Sequence, residues 1–266
     1  MHTDSAFAGK MPDAYEQMLV PLLFEPFAVE LSDRLAKYSP NTVLELAAGT
    51  GALTRELSAR LPDVEITATD ISAPMIDKAS HVVRKPNVHF QVADASALPF
   101  DEASFDVVVA QFGVMFFSEK IAAYHQVHRV LREGGTFVFN TWNMLLRNPV
   151  FKVFCKAFKE NSGGQPCFLE RIAFAYCDDA DIKNDLHAAG FGKVDVYTVH
   201  KTTKAHSAAA FLDAIASGSP FAADLEHLGR DRGAHVRESI FEALTAQFGE
   251  GEFDNELSAL VIETKK

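Results

Sequence analysis

The run Val43-Leu44-Glu45-Leu46-Ala47-Ala48-Gly49-Thr50-Gly51-Ala52-Leu53-Thr54 passes from an apolar segment through two glycines into a helical pattern. A strand, a glycine turn and a helix start, in that order, form the place where a doubly wound sheet receives a nucleotide. Gly49 and Gly51 let the backbone turn sharply and approach a ligand with no Cβ in the way, although ordinary tight turns use the same G-x-G spacing. Asp70 ends the next apolar run, Ile66-Thr67-Ala68-Thr69, 19 positions after Gly51. A carboxylate there can accept from both hydroxyls of a ribose. Its charge repels a 2′-phosphate, which speaks against NADP. A dinucleotide fingerprint also needs a small residue three positions after the second glycine. That residue is Thr54, whose branched side chain is expected to compromise close helix–strand packing. A third carboxylate, Asp94, follows Gln91-Val92-Ala93 with spacing that fits a helix cap or a turn.

These residues need a sheet to hold them. Apolar runs at Thr42–Leu46, Glu65–Asp70, 88–93, Phe105–Gln111 and 136–142 alternate with helical patterns, the pattern of a parallel sheet covered on both faces. Val107, Val108 and Val109 in succession suit a central strand buried on both sides. One helix, through Ile121, Tyr124, Val127 and Leu131, is predicted to stop at Gly134-Gly135. Before the first strand, residues 1–10 read as a frayed tail. Pro21 and Pro26 are predicted to break the stretch from Pro12 to Lys37 into at least two helices. After Trp142 come mixed helical segments with a Ser162-Gly163-Gly164 connector, a helix ending at Gly190, a strand over 193–203, helices between Ser207 and Phe248, and a last strand over 257–264.

Five segments resemble, in order, the class I S-adenosylmethionine-dependent methyltransferases. Glu45, Gly49 and Gly51 match the E/D-x-x-x-G-x-G motif. The resemblance implies that the loop from Ala47 to Gly51 embraces the amino-acid end of the cofactor, with Glu45 in its hydrogen-bond network; a loop-capping or solvated carboxylate is the alternative. It gives Asp70 the ribose hydroxyls and Ile71 and Met75 apolar contact with adenine, although Met75 suits core packing equally well. Gln91–Phe100 resembles the D-A-x-x-L-P-F segment, in which the Asp94 carboxylate would accept from the adenine amino group and the Ala95 N–H would donate to the ring. Ser104–Gly113 resembles the FD-x-V strand, whose following turn lines the cleft beside the methionine part, with Gln111 and Phe112 at its edge. His128–Gly135 matches the R-V-L-K-P-G-G turn, with Glu133 where proline is common, and is read as structural. Tyr15 resembles a tyrosine that closes over the cofactor carboxylate, or packs its helix. The likeness is nearest to the branch of ubiquinone and menaquinone C-methyltransferases and covers residues 40–142; beyond them it is architectural.

The expected fold is therefore α/β, a doubly wound Rossmann-like seven-stranded sheet with the last strand antiparallel and a helical cap. Cap helices are expected over 1–39, a cofactor-binding core over 40–142, a cap insertion over 143–190, a core strand over 191–206, a helical insertion over 207–250 and the last core strand over 251–266. The implied cofactor is S-adenosylmethionine, leaving as S-adenosylhomocysteine, with methyl transfer by in-line displacement to a small, partly apolar acceptor. Phe151, Phe154, Phe158, Phe168 and Phe174 suit an acceptor pocket, or plain core. No histidine has a partner spacing that marks it as a base, and the catalytic residues are left open. Asp178, Asp179 and Asp181 read as a helix N-terminus in preference to a metal site.

The formal charge, 25 − 36 = −11, repels a phosphate backbone and counts against nucleic-acid substrates. Three cysteines without C-x-x-C spacing suggest a reducing compartment. Neither a basic-then-apolar leader nor a membrane-length apolar run is visible, so the cytoplasm is the expected compartment. Two rival functions share the architecture. An NAD-dependent oxidoreductase would need a proton relay such as Tyr-x-x-x-Lys, yet Tyr124 is followed four places later by His128. A non-catalytic module would bind the cofactor without turnover.

Overall fold

The computed structural model describes residues 11–266; the expected frayed tail lies outside the described residues. Seven strands form one sheet: β1 (Thr42–Leu46), β2 (Glu65–Asp70), β3 (Val88–Val92), β4 (Phe105–Gln111), β5 (Leu131–Trp142), β6 (Val194–Ala205) and β7 (Phe253–Lys265). Their order is β3-β2-β1-β4-β5-β7-β6, with β7 antiparallel to both neighbours. Chain direction across the sheet reverses its progression between β1 and β4. That switch point opens a crevice beyond the carboxyl ends of the strands, where α/β sheets bind ligands.

The valine run explains the layering. Successive strand side chains face opposite ways. Val107 and Val109 join one apolar layer, with Leu31, Leu35, Leu53 and Leu57. Val108 and Ala110 join the other, with Tyr124, Val127 and Phe139. The covering helices include α2 (Glu25–Ala36), α3 (Ala52–Arg60), α4 (Ala73–Val82) and α5 (Lys120–Val130), while the short α1 (Met11–Ala14) packs on α4. Thr54 does not compromise the packing of α3. Its side chain is fully buried, and its hydroxyl donates to Glu45 at 2.6 Å.

Two local expectations are corrected. The prolines do not break the N-terminal stretch, because Tyr15–Phe24 continues it as a π-helix, with Pro21 inside, into α2. At its exit the Glu25 N–H donates to the Val20 carbonyl, five residues back. Pro26 leaves the carbonyl of Leu22 without its α-helical donor. Thr203 on β6 donates its hydroxyl there at 2.7 Å, so the freed acceptor is satisfied from the sheet. Nor does Gly134-Gly135 end α5. That helix stops at Val130 and the chain enters β5 at Leu131, with both glycines inside the strand. The β4–β5 register shifts here, between Phe105 and Val107, and at Gly135 a Cβ would meet the Arg132 carbonyl at 2.8 Å, so the glycines serve this irregularity in the strand and do not cap a helix.

The rest of the chain completes the cap. α6 (Pro149–Asn161), α8 (Ala208–Gly218), α9 (Phe221–His227) and α10 (Arg230–Phe248) pack over the carboxyl edge with the N-terminal helical stretch, while α7 (Asp179–Ala188) packs on α5. Asp178 caps α7, accepting from the backbone of Ala180 and Asp181. Cys155 on α6 and Cys167 come together, Sγ to Sγ 3.4 Å, in buried surroundings. Among the described residues no helix is long and apolar enough to cross a membrane.

Candidate functional site

A cavity of about 620 Å³ opens over the carboxyl ends of the strands on both sides of the switch point. Its first wall is the glycine turn. Ala47 leaves β1 with φ +52°, and Ala48 donates to the Thr69 carbonyl at 2.9 Å, tying the turn to β2. Gly49, at φ +56°, exposes its N–H to Asp70, whose Oδ2 accepts at 2.8 Å. The other Asp70 oxygen accepts from the Ser72 N–H, also at 2.8 Å. A Cβ on Gly49 would come within 3.8 Å of the Tyr15 ring, so the missing side chain leaves room between the turn and that ring. Burial pushes the Tyr15 phenol well above its usual range, with the charges of Asp70 and Glu16 adding, so it stays protonated. The Tyr15 stretch is fastened from outside: Glu16 accepts from the Thr50 hydroxyl and pairs with Arg55, and Asp13 pairs with Lys78 at 2.6 Å.

Ala47, Gly49, Asp70, Ile71 and Met75 border the cavity, as do Asp94, Ala95, Gln111, Phe112 and Tyr15. Ten of the residues singled out from sequence are thus brought together. Glu45 and Gly51 are not on the wall. Gly51, at φ +88°, faces α4, where a Cβ would stand 3.3 Å from the side chains of Ala79 and Val83; it serves helix packing. Glu45 lies beneath the turn, 1 % exposed. Burial raises its pKa from 4.5 to about 8, with the Thr54 hydrogen bond opposing and the Asp70 charge adding.

That shift has a testable sign. A carboxyl whose pKa is raised by folding favours the fold fully below about 4.5 and loses that contribution as pH climbs to about 8. At about 1.4 kcal/mol per unit, the loss at pH 8 is of order 4 kcal/mol. Glu45→Gln keeps the acceptor for Thr54 and removes the charge. In the ligand-free protein, its stability relative to wild type is expected to rise between pH 5 and pH 8 in urea titrations. Parallel curves for the two proteins would contradict this assignment.

Asp94 does what its turn spacing suggested and also lines the cavity: Oδ1 accepts from the backbone and hydroxyl of Ser96, both at 2.8 Å. The segment after it is anchored by Arg129, which donates to the carbonyls of Phe100 at 2.7 Å and Leu98 at 2.9 Å. Asp106 does the same for the start of β1, accepting from the backbone of Asn41 and Thr42 and from Arg132. The stretch read as structural, His128–Gly135, thus holds the segment after Asp94 through Arg129 and the Asp106 carboxylate through Arg132.

The floor lies between β1 and β4. Phe112 follows β4 with φ +47°, a conformation that costs a non-glycine residue about 1–2 kcal/mol. Asn140 holds it there, accepting the Phe112 N–H at 2.7 Å. Gly113 then passes so close to the first turn that a Cβ would lie 2.5 Å from that of Ala47. Sequence reasoning missed Gly113 because its φ is ordinary and only the neighbouring turn forbids a side chain. It also missed Trp142, which stacks on Phe112 with centroids 4.1 Å apart; its position at the end of the strand beside β4 was the available signal.

Beyond Phe112 the wall becomes apolar. Phe24, Trp142, Phe151, Phe174 and the stacked pair Phe116–Phe168 line this half. Phe154 and Phe158, grouped with them from sequence, instead pack on Phe221 behind the wall. Ile215 and Gly218 from α8 complete it, and exposed Glu119 stands at the rim.

Residues 43–135 match the family model described as "Methyltransferase domain". The chain is 30% identical over 166 residues to the demethylmenaquinone methyltransferase of Deinococcus radiodurans, covering 58% of this chain and 69% of that protein. It is 30% identical over 196 residues to the ubiquinone/menaquinone biosynthesis C-methyltransferase UbiE of Stutzerimonas stutzeri, covering 66% and 74%. Among solved structures, phosphoethanolamine N-methyltransferase 2 of Haemonchus contortus, in complex with S-adenosylhomocysteine, aligns with TM-score 0.61 at 15% identity. That alignment covers 99% of this chain and 59% of that one. At such identity it speaks for the fold alone. Homology to the two curated enzymes removes the oxidoreductase and non-catalytic readings. The chain belongs to the class I S-adenosylmethionine-dependent methyltransferases, and S-adenosylmethionine is its methyl donor.

Proposed function

We propose that the donor lies along the polar half of the cavity and that the apolar half receives a small, flat, partly apolar acceptor. The observation that carries this reading is that Gly49, Asp70 and Asp94, from three separate segments, border one cavity that continues into a wall of aromatic rings. In the proposed arrangement Asp70 accepts from the ribose hydroxyls, Asp94 from the adenine amino group, and the bare Gly49 backbone accommodates the amino-acid end. Ile71 and Met75 flank the base. Tyr15 covers the loop as a neutral hydrogen-bond donor. Glu45 supports the turn from beneath and makes no ligand contact.

When bound, the donor supplies a methyl group already activated by the positive sulfur. The protein's contribution is then alignment and exclusion of water, which accelerates reaction by proximity. Aromatic side chains with few polar groups suit a ring-bearing acceptor better than a sugar or a polyanion. The cap segments (11–39, 143–190 and 207–250) are assigned the choice of acceptor, since they supply Phe24, Phe151, Phe168, Phe174 and Ile215. The net charge of −11 further disfavours nucleic acid. The quinone precursors implied by the relatives' names fall within the proposed class.

The test has two arms. Calorimetry with S-adenosylmethionine, S-adenosylhomocysteine and NAD is expected to register the first two alone. A panel of phenols, hydroxyquinones, aliphatic amines and sugars, followed by S-adenosylhomocysteine release, is expected to select aromatic members. Phe168→Glu should reduce that turnover about tenfold or more by charging the aromatic half, with donor affinity unchanged. Turnover confined to sugars or nucleic acids would overturn the acceptor assignment.

A further inference from the structure

Buried polar atoms nearly always have partners, and exceptions call for an explanation. Four side-chain atoms among the described residues are buried without one. Two of these, Gln111 Oε1 and Asn140 Nδ2, belong to register partners at the ends of β4 and β5. Asn140 is fully buried. Its amino group bonds to nothing, so its retained hydrogen bond is the one its oxygen accepts from Phe112. The residue so held has a left-handed backbone, stacks flat on Trp142, and meets Phe27 edge-on with centroids 5.1 Å apart. Both Phe112 and Trp142 face the cavity where its polar half gives way to its aromatic half. Without the Asn140 oxygen, the Phe112 N–H would be stranded beside the sheet, and its backbone would relax toward the extended region ordinary residues prefer. The ring would turn off Trp142.

We infer that Asn140 is a positioning residue for methyl transfer, fixing the Phe112 turn at the junction of donor and acceptor. The inference rests on the proposed donor orientation. Because that orientation puts the sulfur end at this junction, loss of the Asn140 oxygen should be felt by the sulfonium methyl more than by the adenosine.

The test compares two variants. Asn140→Leu keeps the volume and removes the acceptor. Asn140→Asp, whose carboxyl is expected to stay protonated in this fully buried place, keeps the acceptor and puts a hydroxyl where the unpartnered amino group stood. S-adenosylmethionine and S-adenosylhomocysteine differ by the methyl group and the charge at sulfur, so their affinities separate positioning from stability. Asn140→Leu is expected to weaken S-adenosylmethionine about tenfold and S-adenosylhomocysteine about threefold or less. It should also change the emission of Trp142, the chain's single tryptophan. Asn140→Asp should stay within about threefold of wild type for both ligands. Should Asn140→Leu fail to fold, Asn140→Ser, whose hydroxyl falls a bond short of Phe112, reads the same loss. Equal weakening of both ligands, or a lowered melting temperature with unchanged affinities and emission, would overturn the inference. Asp70→Ala run in parallel tells the two readings apart: if it leaves both affinities intact, the proposed donor site itself is wrong.

Discussion

Asp70→Ala is expected to weaken S-adenosylmethionine binding by more than about tenfold while the protein remains folded. A charge-assisted hydrogen bond contributes about 1.5–3 kcal/mol, and two proposed ribose contacts would be lost together. The carboxylate also accepts from Gly49 and Ser72, so the variant loosens the very turn the donor would meet. Gly49 lines the cavity, where water can replace the carboxylate, whereas buried Ser72 loses an acceptor, and the cost to stability should be about 1–3 kcal/mol. Titration calorimetry against a circular dichroism melt separates the two effects. Affinity within about threefold of wild type would remove Asp70 from the ribose.

Gly113→Ala should be as damaging, for a steric reason. Its new methyl would lie 2.5 Å from the Ala47 Cβ, whereas carbon atoms in contact prefer about 3.5–4.0 Å. Neither group is the end of a flexible chain, so the two turns must part, and overpacking of this kind costs about 1–3 kcal/mol. The parting occurs in the cavity floor, and we expect donor affinity to fall about tenfold or more with it. The sterics also specify a suppressor. Ala47→Gly removes the opposing Cβ and relieves a left-handed alanine, so Gly113→Ala with Ala47→Gly should recover most of the lost affinity. A double variant no better than Gly113→Ala alone would show that the 47–113 contact is not what matters.

Much of this site could be read from sequence because its determinants are local. β1, β2 and β4 begin and end where their apolar runs do, and a carboxylate just past a strand end is delivered to the crevice by the direction of the strand. Asp70 and Asp94 needed no knowledge of distant residues. Glu45 was equally visible, yet its burial and its bond to Thr54 depend on how α3 packs, which spacing does not encode. The same holds for Gly113, whose lack of a side chain is demanded by a turn 66 residues earlier. Pro26 read as a helix break because its satisfaction is remote: Thr203 supplies the missing donor to the Leu22 carbonyl from β6. The cap was legible as helices but not as a surface. Phenylalanine content grouped Phe151, Phe154, Phe158, Phe168 and Phe174 as pocket candidates, and only the packing of Phe154 and Phe158 on Phe221 separates those two from the cavity wall.

The arrangement also bears on how methyl transfer is organised. Two of the four non-glycine residues with positive φ among the described residues, Ala47 and Phe112, border the cavity, while Ser39 and Ala103 lie away from it. Such strain persists only where surrounding contacts enforce it. Here the Asn140 hydrogen bond and the Trp142 stack supply those contacts for Phe112.

A crystal structure of the protein with S-adenosylhomocysteine would test the central claim most directly. The account predicts the ribose hydroxyls against the Asp70 carboxylate, the adenine amino group at Asp94, and the sulfur beside Phe112 and Gly113. Adenosine bound elsewhere, or bound in this cavity with its ribose turned away from Asp70, would contradict it.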